Sequence, residues 1–211
     1  MTRARHASDR GRRLAPVRSE LMGFLDALLG GRRKLKTPAP DRLFAMTTAN
    51  ITLDTGLGLK HRGRAGIVFQ PLGTADFQQI VKETEELLAG TAADTGTKIK
   101  THDDEYGYRW LVLEDPDFDD LVVAINTVSS QLESAGYGDR VLAAVFAFEE
   151  NGKPLYFIYN FKRGAYYPFV PAPGEQARDT ERELRIQSQL GAELPWEEDM
   201  GRWFPLWDIP L

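Results

Sequence analysis

The sequence predicts an α+β fold: a largely antiparallel sheet built from recurring β-β-α units, with helices packed on it. Three observations carry that prediction. Short apolar runs recur in pairs separated by turn residues, which is the mark of hairpins. A stretch with helical apolar periodicity follows each pair. The turns include Asn151-Gly152, a strong two-residue hairpin signal.

The first predicted unit has apolar Ile51–Leu53, a glycine-rich turn, a strand at Gly66–Phe69 and a helix from Thr74. That helix sets Phe77, Ile80, Val81, Thr84, Leu87 and Leu88 on one stripe, with Lys82, Glu83, Glu85 and Glu86 opposite. The second unit has Thr97–Thr101, a turn at Asp103-Asp104-Glu105, a strand at Tyr108–Leu113 and a helix from Asp115. Its stripe is Phe118, Leu121, Val122, Ile125, Val128 and Leu132. Pro116 is read as the first helical position, acids fill the first turn, and Gly136 stops the helix. Phe77 and Phe118 hold equivalent places. The third unit runs Val141–Phe148, the Asn-Gly turn, Leu155–Phe161 and a charged helix over 175–190. Val141–Phe148 shows little polar alternation, so both its faces are expected to be covered.

The organisation expected is a basic arm with a short amphipathic helix over 1–40, an α+β domain over 41–194, and an aromatic tail over 195–211. A chain of 211 residues suits one domain with appendages. There is no cysteine, which excludes disulfides, thiolate nucleophiles and cysteine-based metal sites. No apolar run approaches the roughly 20 residues of a membrane-spanning helix.

The net charge of −5 conceals an asymmetry. Residues 1–36 hold ten Lys/Arg against three Asp/Glu, a net +7; the rest hold 16 against 28, a net −12. The Arg-rich 1–18 stretch reads as a disordered leader, with Met22 a plausible start. The alternative is an arm that contacts anionic membrane or nucleic acid. Next, Leu21, Phe24, Leu25, Leu28 and Leu29 share a helical face, followed by Arg32, Arg33, Lys34 and Lys36. Such a face with a basic flank fits docking on protein or contact with a membrane surface. Thr37–Pro40 is a linker, and Asp41–Met46 a short capped helix.

Four groupings invite a chemical reading. Asp54-Thr55-Gly56 and Asp94-Thr95-Gly96 are the triplets an aspartic-type hydrolase would pair so that two carboxylates share a proton. The second falls in a turn after a helix and lacks apolar strand flanks. His102-Asp103-Asp104-Glu105 gathers metal-ligand types but reads as a polar hairpin tip. Gly56–Arg64 is glycine-rich and basic, yet a strand follows it, so it is a connection and not a phosphate loop. Asp115, Asp117, Asp119 and Asp120 are explained by helix capping. No cofactor is expected.

The tail crowds Trp196, Trp203, Phe204, Leu206, Trp207, Ile209 and Leu211 into a segment broken by Pro205 and Pro210. It cannot be a regular helix. It either lies extended over the body and closes the core, or serves in part as a hot spot for a partner. The candidate contact residues are Phe24, Leu25, Leu28, Leu29, Arg32, Arg33, Lys34, Trp203, Phe204 and Trp207.

From Met22 onward the chain resembles the PspAB family of PspA-associated proteins. The resemblance rests on Met22–Leu28, Thr101–Tyr108, Leu111–Asp115, and Gly136-Tyr137-Gly138 leading into Leu142–Phe146. It implies an accessory role in a phage-shock membrane-stress system. The implied partner is a PspA-type coiled-coil protein, often beside an HtpX-type membrane protease. The reading adopted is a non-enzymatic adaptor that binds a protein partner, expected in the cytoplasm or peripheral at the inner face of the cell membrane. The resemblance supplies no catalytic residues. The strand–helix order is also similar to YbjN or secretion-chaperone-like folds.

Overall fold

A computed structural model describes residues 40–211. In chain order its elements are α1 (Pro40–Leu57), β1 (Lys60–Phe69), α2 (Ala75–Thr95), β2 (Lys98–Asp103), β3 (Arg109–Glu114), α3 (Phe118–Ser134), β4 (Val141–Glu150), β5 (Lys153–Asn160), β6 (Ala165–Phe169), β7 (Pro171–Ala172), β8 (Ala177–Arg178) and α4 (Thr180–Leu190). Strands β1 to β6 form one antiparallel sheet in the order β2-β3-β1-β4-β5-β6. The α+β class with a six-stranded antiparallel sheet and four helices is therefore observed.

Alternation along each strand sorts its residues onto two faces. Ala65, Ile67, Leu111, Leu113, Ala144, Phe146, Phe148, Phe157 and Tyr159 lie on one face and join the stripes of all four helices in a single core. Phe118 packs there on Phe146 and Phe148, at 5.7 and 5.5 Å between ring centroids. Phe77 packs on Phe69 and Tyr137. Full burial of such a side chain contributes about 1.5–3 kcal/mol. The opposite face carries Gly66, Val68, Trp110, Val112, Val145, Ile158, Tyr167 and Phe169. These too are covered, but not by helices.

Three local expectations need correction. Ile51–Leu53 is not a strand. Pro40–Leu57 is one helix, which also absorbs the predicted Asp41–Met46 helix. Leu43, Met46, Ala49 and Leu53 are buried at helical spacing, whereas Ile51 is 64% exposed. The run looked strand-like because Ile51 sits beside the stripe rather than in it. The first unit is thus helix–strand–helix and has no hairpin.

The second correction concerns 161–179, read as a connection into a charged helix from 175. It holds β6 and the small β7–β8 hairpin, and the helix begins at Thr180 behind the N-cap Asp179. Pro168 lies inside β6. Tyr166 turns its N–H outward, and Pro168, two residues on, shares that phase, so its missing N–H costs no ladder bond. Third, Pro116 precedes the N-cap Asp117 of α3 and is not the first helical residue.

Other local expectations match. Asn151 and Gly152 both have positive φ and join β4 to β5 through a two-residue turn. Gly136 follows the C-cap of α3 at φ +84°. Gly63 is also left-handed, and a Cβ there would lie 2.9 Å from the Asp115 carbonyl oxygen.

Candidate functional site

The tail covers the second sheet face and closes one sheet edge. Its first contact is backbone: the Tyr166 N–H donates to the Pro195 oxygen at 2.7 Å, and the Glu197 N–H donates to the Tyr166 oxygen at 2.8 Å. This is a short parallel bridge along β6. The chain then crosses onto the face. Trp203 stacks on Tyr167 with centroids 6.4 Å apart, and its indole N–H donates to the Glu197 oxygen at 2.8 Å. Leu206 is buried. Trp207 meets Phe169 edge-on at 5.1 Å. Leu211 reaches the middle of the sheet, where its Cδ2 is 3.3 Å from where a Gly66 Cβ would stand. A side chain at position 66 would occupy the space the tail uses.

Two ion pairs, each with a buried carboxylate, fasten this strap. Glu183 is fully buried on α4 and accepts from Arg178 through both carboxylate oxygens and from the Val170 N–H at 2.8 Å. Arg178 also donates to the Trp203 carbonyl oxygen and lies over the Phe169 ring. Burial lifts the Glu183 carboxyl above its ordinary pKa, and the bond from Arg178 opposes that lift. Glu197 is also buried; it is held by Arg163 and accepts from the Asp199 N–H. Buried charges persist only when paired and hydrogen-bonded in this way. Burial also raises the phenol of Tyr167, and that of Tyr159 to about 12.

The sequence-predicted residues fall in three groups. Phe24, Leu25, Leu28, Leu29, Arg32, Arg33 and Lys34 lie outside the described residues, as do the Arg-rich arm and Met22. Trp203 is only 3% exposed, so its ring is a fastening of the fold and is withdrawn from the contact surface. Phe204 and Trp207 are half-buried, and Met200, earlier in the same tail, is exposed.

The chemical groupings resolve into structure. Asp54-Thr55-Gly56 lies in the last turn of α1, with Asp54 exposed. Asp94-Thr95 ends α2. Both threonine hydroxyls donate back to carbonyls one turn earlier, at Ile51 and Thr91. Neither triplet sits in the strand-to-loop setting that an aspartic dyad requires, so that hydrolase reading loses its geometry.

At the hairpin tip, Asp104 Oδ1 accepts from the Tyr106 and Tyr108 N–H groups, and Oδ2 accepts from the Trp110 indole. Asp103 holds Arg109 with two bonds, which keeps the Asp103 carboxyl below its usual range. Among the described residues no three His, Asp or Glu side chains converge as a metal site would require. Asp115 is buried, accepting from the Thr97 hydroxyl and the Asp117 N–H. Asp117 caps α3.

Sequence reasoning missed Arg178, Glu183, Arg163 and Glu197. One signal was present. Glu183, Ile186 and Leu190 share the buried stripe of α4, so a carboxylate occupies an apolar position.

The class these features define is an α+β protein with an aromatic strap clamped across the open face of its sheet. Its buried charges fasten elements rather than converge on a cleft. The chain belongs to the PspAB family, described as PspA associated protein B, whose family model matches residues 22–211. No curated protein and no solved structure matches it. No helix among the described residues is long and apolar enough to cross a membrane.

Proposed function

We propose that this chain is a non-enzymatic accessory protein of a membrane-stress response that binds a PspA-type coiled-coil partner. The observation that carries this reading is membership, over residues 22–211, of a family named for association with PspA. The strap supports it locally, because Phe204 and Trp207 keep part of their surface outside while Trp207 is packed on Phe169. Aromatic residues anchored in this way are the usual core of a protein contact. The Phe24–Lys34 segment supplies a second contact in this reading, with the partner or with an anionic surface at the inner face of the cell membrane. An HtpX-type membrane protease is a further candidate partner. The protein would act in the cytoplasm.

The test is titration calorimetry of the full chain with a purified PspA-type protein from the same host. The reading expects saturable binding that weakens in Phe204→Ser/Trp207→Ser. Absence of heat and of co-elution would overturn the partner assignment. Unchanged affinity in the double variant would remove the strap from the contact. Liposome flotation with and without residues 1–36 tests the membrane arm, and equal flotation eliminates it.

A further inference from the structure

The two edges of the sheet are treated differently. On β6 the outward backbone groups of Tyr166 are taken by Pro195 and Glu197. At the other end of the strand order, β2 has no neighbour among the described residues. Five of its six residues are exposed, and only Ile99 is half-buried. Such an edge offers alternating N–H and C=O groups at the spacing another strand requires.

Charge narrows what that strand is. On the strap-bearing face, Lys98 stands opposite Glu114, and Arg64 stands opposite Glu114 from the other side. Lys100 and Arg64 both reach the same oxygen, Glu114 Oε1, at 3.0 Å. The field of Lys98 adds to theirs, and together the three hold the Glu114 carboxyl below its usual range, Lys100 most strongly. Three cations thus act on one carboxylate, which leaves two positive charges unmatched. His102, neutral at pH 7, follows on the same face, and the lysines give way there to the acidic hairpin tip at Asp103 and Asp104. This basic strip sits on a body in which residues 37–211 carry a net −12.

A second copy of β2 is a poor occupant. An antiparallel self-pairing of 98–102 that keeps side chains on their own faces sets Lys100 directly against Lys100. Like charges directly opposite destabilise a ladder.

We propose that the β2 edge is a docking strand for an extended acidic segment of a protein partner, with Asp or Glu at alternate positions beside Lys98 and Lys100. The lysines then do two things: they discourage self-association and they select the partner. Nucleic acid and anionic lipid offer negative charge but no backbone to complete the ladder. The acidic body also opposes a planar anionic surface. The inference goes beyond the functional reading above and does not depend on who the partner is.

The test uses the full chain and the peptide Glu-Val-Glu-Thr-Glu-Val-Glu, with a version carrying Lys at every Glu. Amide chemical shifts and hydrogen exchange are followed during titration. The Glu peptide is expected to shift and protect amides of 98–103, and the Lys peptide is not. Lys98→Glu/Lys100→Glu should weaken binding about tenfold. Lys98→Ala/Lys100→Ala should weaken it less. The alanine pair should leave the melting temperature nearly unchanged, since both side chains are exposed, and the glutamate pair should lower it modestly, since a carboxylate at 98 then stands opposite Glu114. Protection elsewhere, equal binding of the two peptides, or unchanged affinity in the charge-reversed variant would overturn the proposal. So would phosphatidylglycerol vesicles or single-stranded DNA that bind with the same lysine dependence when the peptide does not. A chain that binds the peptide but no PspA-type protein upholds this inference and overturns the functional reading.

Discussion

The two faces of the sheet are equally dry but are kept dry by different means. On one, four helices lay apolar stripes over Phe146, Phe157 and their neighbours. On the other, a largely extended tail packs on Tyr167, Phe169 and Gly66. A helix satisfies its own backbone, so helical cover needs little besides apolar contact. An extended strap has no such internal bonds. It is fastened instead by the β6 bridge, by indole donors and by two ion pairs whose carboxylates are buried. Where a sheet face is covered by a strap, its fastenings are the polar residues to examine.

The sharpest way to break this contrast is Arg178→Ala. It leaves Glu183 buried without its cation and should cost about 3–5 kcal/mol, read by chemical denaturation. Trp203→Ala should cost about 3–5 kcal/mol, as much as Phe146→Ala on the helix side. If the strap is only draped, Trp203→Ala will behave as a surface change, within about 0.5 kcal/mol. Gly66→Ala tests the far end of the strap. Its new Cβ would press on Leu211 and Trp110, each 3.3 Å away. Overpacking should outweigh the gain from replacing a strand glycine, for a net loss on the order of 1 kcal/mol. Leu211→Ala in the same chain should recover part of that loss if the clash is the cause. The smallest effect belongs to Ile51→Ser on the outer side of α1, expected within about 0.5 kcal/mol by thermal melting. A large loss there would revive a buried strand at Ile51–Leu53.

The same contrast explains what the sequence made legible. The stripes of α2 and α3 and the Asn151-Gly152 turn were readable because local periodicity and turn chemistry coincide with the final contacts. The helix at Pro40–Leu57 was misread because Ile51, its most β-prone residue, points to solvent. β6 is short and contains Pro168, whose missing N–H is harmless because that side of the strand faces outward with the Tyr166 N–H. The clamp between Arg178, Glu183 and Trp203 joins residues 5 and 25 positions apart. No local spacing announces that. The tail's apolar content showed that it could cover a face, but which of its tryptophans would be buried depended on tertiary contacts. Trp203 stacks under the strap, while Trp207 keeps part of its ring outside.

The most direct test of the central claim is hydrogen exchange of the full chain, alone and with a purified PspA-type protein of the same host. The account predicts that the free chain protects the β1, β4 and β5 amides as strongly as the α3 amides. It also predicts that the partner adds protection along 200–211 and leaves the outer surfaces of α1 and α3 unchanged. Fast exchange under the strap in the free chain, or partner protection confined to the helices, would contradict it.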